Sequence, residues 1–190
     1  AVGVVERSEM LGQEKIQSGD VLIGVGSSGL HSNGYSLARR VVFEMKGWSP
    51  ETHVPELAAS VGEALLRPTL IYVKLVKALL AGSRLHGLAH ITGGGITGNV
   101  PRIIPDQCQA VIDRNTWEPP SLFSVLQRAG AVDQEEMFRV FNMGVGLVVV
   151  APPEETSRII GITQEQGMTG WVIGDIRDRP SSELKLAYLR

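Results

Sequence analysis

The sequence predicts a single α/β domain, and three observations carry the prediction. Of its 190 residues 43% are hydrophobic and 20% charged, which supplies enough apolar side chain for a full core. Short β-branched runs alternate with stretches of helical period along the whole length. No Pro/Gly/Ser-rich linker, charge block, internal repeat or low-complexity tract interrupts them, so residues 1–190 read as one domain.

The elements follow in order. "AVGVVERSEM" lacks both Met and the features of a signal or transit peptide; it runs into what reads as a short strand, in the manner of a piece cut from a longer protein. Residues 21–25, opened by Gly19-Asp20 and closed by Gly and Ser, form a compact apolar run that suits a buried strand. Residues 34–45 suit a helix, with Leu37, Val41 and Met45 in one buried stripe and Arg39 and Arg40 turned outward. Residues 47–57 read as loop, and 60–66 as a short helix stopped by Pro68. Thr69 then caps a helix over 70–80, where Ile71, Leu75 and Leu79 line one face and Tyr72, Val76 and Leu80 widen it.

Residues 88–91 read as a strand, 92–95 as a glycine turn and 97–104 as a helix ended by Pro105. A strand over 109–112 precedes helices over 121–129 and 134–140. The β-branched run 146–150 reads as a central strand, Pro153 starts a helix to residue 166, and 170–175 closes the sheet.

Composition also limits function. A net charge of -2 leaves no basic excess for nucleic acid or an anionic membrane surface. No apolar run approaches the ~20 residues that cross a bilayer. The single cysteine, Cys108, cannot close an intramolecular disulfide, which suits a reducing cytoplasm. No His/Cys/Asp/Glu spacing resembles a structural metal site, and no G-x-S-x-G nucleophile turn occurs.

The chemistry concentrates in "GVGSSGLHSNGYSL", residues 24–37. Its Gly24, Gly26 and Gly29 complete a G-x-G-x-x-G, yet the acidic residue at dinucleotide-binding distance is Glu44, inside a helix instead of ending a second strand. Its Gly29 and Gly34 supply the glycines of a P-loop and Ser36 the hydroxyl, but Tyr35 stands where the phosphate-neutralising lysine must be. What survives is a glycine turn between strand and helix, whose backbone N–H groups face outward. Ser27, Ser28, Ser32 and Asn33 add short donors and His31 a titratable one, a set suited to a single phosphate or small anion. The same composition also arises in a tight turn that binds nothing.

"AHITGGGITGNVPR", residues 89–102, repeats the logic: Gly93, Gly94 and Gly95 allow close backbone approach, with His90, Thr92, Asn99 and Arg102 around them. The alternative is a bend in which Thr97 and Asn99 cap a helix. Both turns follow strands, so they can converge at one end of the sheet. Asn142, in "FRVFNMGVG", either joins such a pocket or forms only a turn. His53 and His86 read as loop or surface residues, and Glu154-Glu155 and residues 177–179 as solvated charge.

Four stretches in order, "GDVLIGVGSSGLHSNGYSLARRV", "LLRPTLIYVKLV", "HITGGGITGNVPRIIP" and "FNMGVGLVVV", resemble the C-terminal half of the phosphoribosylformylglycinamidine cyclo-ligases, or AIR synthetases. The resemblance runs from "AVGVVE" to "WVIGDI". It implies a two-layer α/β domain with a mixed, about four-stranded sheet covered by six to seven helices. It implies ATP-dependent closure of formylglycinamidine ribonucleotide, which carries one 5'-phosphate, to aminoimidazole ribonucleotide in purine biosynthesis. His31 becomes the candidate for substrate positioning or proton transfer. Ser27, Ser28, Gly29, Ser32, Asn33, Gly34, His90, Thr92, Gly93, Gly94, Gly95 and Asn99 become candidates for holding the substrate. ATP and Mg are then bound mainly by an N-terminal half, which also builds a homodimer and is this chain's own partner. Nothing in the chain matches that half's acidic Mg-ATP motif or its Gly-Ala-x-Pro turn, so the chain alone is expected to be inactive. Rival readings are a related enzyme of the superfamily, such as a selenide or thiamine-phosphate kinase or formylglycinamidine ribonucleotide synthetase, and a non-catalytic binding or assembly domain.

Overall fold

Eight strands and seven α-helices alternate through residues 3–189, the part of the chain that the computed structural model describes. Ala1 and Val2 lie outside it, and residues 3–10 hold one exposed 3-10 turn, Arg7–Glu9, instead of the expected short strand. The strands are β1 (Val21–Gly26), a hairpin of β2 (His53–Val54) and β3 (Ala59–Ser60), β4 (Gly87–His90), β5 (Cys108–Asp113), β6 (Val145–Ala151), β7 (Gly170–Asp178) and β8 (Leu186–Leu189). Between them come α1 (Tyr35–Arg39), α2 (Val61–Leu65), α3 (Val73–Gly82), α4 (Gly95–Asn99), α5 (Ser121–Gly130), α6 (Gln134–Val140) and α7 (Thr156–Glu165).

Six strands form one sheet in the order β4-β6-β1-β7-β5-β8, so the expected four are exceeded by two. The sheet is mixed as expected: every pairing is antiparallel except β5 with β8. β8 escaped the sequence reading because a four-residue edge strand shows too little alternation to stand out. β6 is buried at all seven positions between β4 and β1, which confirms its β-branched run as a central strand.

Two apolar clusters hold the sheet. On one face Phe123 and Leu126 of α5, Met137 of α6 and Ile96 of α4 pack against Leu22, Val148, Val150, Ala110 and Ile112. On the other, Leu75 and Leu79 of α3 and Ile159 of α7 pack against Ile23, Val25, Leu147 and Val149. Burying one such side chain contributes roughly 1.5–3 kcal/mol.

Local chemistry sets several helix limits. Ser60 and Glu63 form a capping box that starts α2: the Glu63 N–H donates to the Ser60 hydroxyl at 3.2 Å, and the Ser60 N–H to the Glu63 carboxylate at 2.8 Å. The helix expected over 34–45 is α1 followed by a π-helix, Arg40–Met45. The wider turn breaks the 3.6-residue stripe, so Val41 and Val42 are buried while Met45 is exposed. Thr69 caps nothing: α3 starts only at Val73, and its core face is Leu75 and Leu79, with Ile71 and Leu80 in solvent.

Candidate functional site

β1 and β4 both run antiparallel to β6, hence parallel to each other. Their C-terminal ends therefore open at the same edge of the molecule, across the start of β6. Both glycine turns leave from there.

His31 sits in the first turn with φ 56°, a left-handed backbone conformation that few non-glycine residues adopt. Its Nε2 accepts the Ser28 N–H at 3.1 Å, so the neutral ring carries its proton on Nδ1. That Nδ1 is buried and has no partner. Burial, and then the nearby His90, hold the imidazole below its ordinary pKa. The ring is consequently a neutral donor at pH near 7, not a cation.

Tyr72 stands between the two turns, its ring 6.0 Å from those of His31 and His90. Its hydroxyl donates to the Gly26 carbonyl at 2.7 Å, and burial raises its pKa so that it stays protonated. Gly146 of β6 makes the space: a Cβ there would lie 2.0 Å from the Tyr72 hydroxyl and 2.8 Å from His31 Cε1. Neither residue stood out in the sequence. The signal for Gly146 was a lone glycine inside a β-branched strand, which marks close approach.

Asn142 braces the first turn from below. Buried, it donates from Nδ2 to the Gly29 carbonyl at 2.8 Å and accepts the Gly144 N–H on Oδ1 at 2.9 Å. The Ser27 hydroxyl lies 3.0 Å from Asn142 Oδ1 and 3.1 Å from the Gly29 carbonyl. Ser28 donates to the Pro68 carbonyl at 2.6 Å, and Ser32 and Thr69 share a hydrogen bond of 3.1 Å. These bonds tie the turn to the extended segment that leads to Tyr72. Gly34, at φ 79°, opens α1 without a side-chain cap, which leaves the first-turn N–H groups unpaired by side chains.

The second turn is locked from inside. Asn99 is buried, and its amide reaches the carbonyls of Gly95 at 2.8 Å, Gly93 at 3.2 Å and Thr92 at 3.3 Å. Thr92 donates to Asn99 Oδ1 at 3.2 Å. Gly95, at φ 58°, lies flush on α6, where a Cβ would come within 2.2 Å of the Phe138 carbonyl. Thr92, Gly95 and Asn99 thus shape the turn, and Gly93, Gly94 and the exposed His90 form its open side. A Cβ on Gly93 would stand 3.5 Å from Asn33 Oδ1, so the two turns face each other. Arg102 is not gathered in; its carbonyl accepts from Gln13 at 2.8 Å. His90 and Tyr72 also line an apolar groove of about 570 Å³ with Leu70, Val76 and Leu147.

Two expectations elsewhere resolve. His86 is a loop residue as expected, between α3 and β4, and its Nδ1 lies 2.8 Å from the buried Asp20 carboxylate, at the opposite end of β1 and β4. Tyr35, in the P-loop lysine's place, turns its hydroxyl to the Leu65 carbonyl.

The arrangement offers a neutral imidazole donor, backbone N–H groups, small hydroxyls and amides, and one exposed histidine. It suits a single phosphate with polar groups beside it. It is not an ordinary P-loop, because Tyr35 stands in the lysine position.

The family described as AIR synthase related protein, C-terminal domain, matches residues 17–187. The chain is 47% identical over 175 residues to the phosphoribosylformylglycinamidine cyclo-ligase of Geotalea daltonii, covering 92% of this chain and 50% of that protein. It is 49% identical over 178 residues to the cyclo-ligase of Sorangium cellulosum, covering 93% and 51%. The chain therefore spans about half the length of the curated relatives it matches. Among solved structures, thiamine-monophosphate kinase from Stenotrophomonas maltophilia is similar over 97% of this chain and 54% of that one, with a TM-score of 0.65 at 18% identity, a likeness of fold.

Proposed function

The chain belongs to the AIR synthase related proteins, as their C-terminal domain, and from that premise we propose that it is the substrate-holding half of a phosphoribosylformylglycinamidine cyclo-ligase. The whole enzyme would close formylglycinamidine ribonucleotide to aminoimidazole ribonucleotide with ATP, in the cytoplasm. The observation that carries the reading is that the two glycine turns face each other, Gly93 toward Asn33, with Tyr72 standing between His31 and His90.

In this reading the 5'-phosphate lies against the N–H groups opening α1, with Ser32, Asn33 and the open side of Gly93 and Gly94 around it. A phosphate suits this place because free backbone N–H groups at a helix start, with short hydroxyl and amide groups beside them, favour an anion. His31 is the candidate for positioning the substrate or transferring a proton, and the Ser28 N–H holds its ring in the tautomer with the proton on Nδ1. His90 stands exposed at the mouth, on the open side of the second turn. ATP with Mg would be held mainly by the half of the relatives that this chain does not span, and that half would also form a homodimer. No step through ATP is assigned to the residues described here. The chain alone is accordingly a binding domain without ring-closing activity.

The test is a titration of the chain, by NMR or thermal shift, with aminoimidazole ribonucleotide, formylglycinamidine ribonucleotide and sulfate. Binding of both ribonucleotides, weakened about tenfold or more in His31→Ala and Asn33→Ala, is expected when a hydrogen bond to a charged group is lost. Equal binding by all three proteins would overturn the assignment of the site, as would tight Mg-ATP binding for the division of labour.

A further inference from the structure

The second glycine turn is held from outside by a group of residues around Arg114. Arg114, just after β5, lies between two rings, its guanidinium carbon 4.2 Å from the centroid of Phe138 and 3.7 Å from that of Tyr188. Its Nη1 and Nη2 donate to both oxygens of Glu135 at 2.6 and 2.7 Å, which fixes the plane of the cation against α6. Phe138 and Tyr188 pack edge to face at 5.3 Å. The stack leaves the Tyr188 hydroxyl 2.8 Å from Thr97 Oγ1, and Thr97 donates on to the Phe138 carbonyl at 3.3 Å. The order of donors is therefore Tyr188 to Thr97 to Phe138. That carbonyl is the atom against which Gly95 lies flush.

Thr97 is the third residue of α4, whose first residue ends the glycine turn. We propose that Tyr188 is a positioning residue: through Thr97 its hydroxyl sets the seat of the 92–95 turn on α6, and so where His90 and Gly93 face His31 and the bound phosphate. The inference rests on the reading of the site given above. It makes β8, the last strand of the sheet, a functional element although it lies at the sheet edge opposite β4.

Tyr188→Phe keeps the ring over Arg114 and removes the hydroxyl; Thr97→Val removes the acceptor, and Thr97→Ser keeps it. The readouts are the amide shifts of residues 93–95, the imidazole titrations of His31 and His90, and the affinity for aminoimidazole ribonucleotide. Tyr188→Phe should move the amides, raise the His31 titration as His90 is displaced, and weaken binding about three- to tenfold, the loss of one hydrogen bond, and Thr97→Val, which also loses the bond to the Phe138 carbonyl, should do so at least as strongly. The double variant should be no worse than Thr97→Val alone, because that change already removes the bond that Tyr188→Phe removes, and Thr97→Ser should keep the wild-type values. If the amides and the His31 titration stay unchanged while only the melting temperature falls, Tyr188 is structural and the proposal is overturned. If the unaltered chain binds no ribonucleotide, the substrate reading fails, and the histidine titrations still decide the role of Tyr188.

Discussion

Gly146 controls the site from a strand. With hydrogen at its Cα, the Tyr72 hydroxyl and the His31 ring occupy space that a methyl group would claim. Gly146→Ala should destabilise the chain by about 1–3 kcal/mol, the usual cost of overpacking, and should push Tyr72 off the Gly26 carbonyl. Urea unfolding measures the first, and tyrosine hydroxyl exchange the second. Unchanged stability would mean that the strand shifts freely to admit the methyl. At this scale the sequence was most legible where residue types are restricted by chemistry: His31, Asn33 and the paired glycines stood out on composition alone. Tyr72 did not, because helical period placed it on the flank of a helix that in fact begins one residue later. Asn99 was legible as important, yet its inward amide was not, since an asparagine that holds carbonyls and one that holds a ligand look alike in sequence.

Turns bear on turns, and the FNMG entry to β6 shows the energetic consequence. Asn142 satisfies the Gly29 carbonyl and the Gly144 N–H at once, both buried. Asn142→Ala leaves the buried Gly144 N–H unpaired and the Gly29 carbonyl with the Ser27 hydroxyl alone, so a destabilisation of about 1–3 kcal/mol is expected in urea. Faster amide exchange at residues 27–29 should accompany it, and exchange confined to 142–144 would show that the first turn stands without this brace. Elements with strong periodicity or dense apolar runs, such as β1, β6, α5 and α6, agree with their sequence patterns within two residues. The misses share a physical cause. β2, β3 and β8 are four residues or fewer, too short to display a period, and the π-helix after α1 obeys a period that the 3.6-residue template does not describe.

The molecule as a whole carries a pH dependence through one buried ring. His31 titrates below its ordinary value of 6.5 when folded, because burial and His90 disfavour its charged form. The unfolded chain therefore binds that proton first, so the stabilisation is complete above about pH 6.5 and is lost as pH falls through the lower folded value. The melting temperature should fall between about pH 7 and pH 5, and His31→Asn should flatten that slope. An equal slope in the variant would assign the effect to other groups. Strand order was the least legible property of the whole. Propensity and period describe a residue and its near neighbours, whereas this order places β1 between β6 and β7, made more than a hundred residues later.

That interleaving has a consequence for synthesis on the ribosome. β1, β4 and β5 neighbour none of each other in the sheet; their partners are β6, β7 and β8. A nascent chain that has emerged only as far as residue 144 thus carries three apolar strands without a single ladder bond among them. The sheet is closed from its middle by strands translated after β1, β4 and β5, so those three wait unpaired. Pairing in this sheet consequently depends on β6, β7 and β8, and the interval before β6 appears is when chaperones have most to protect.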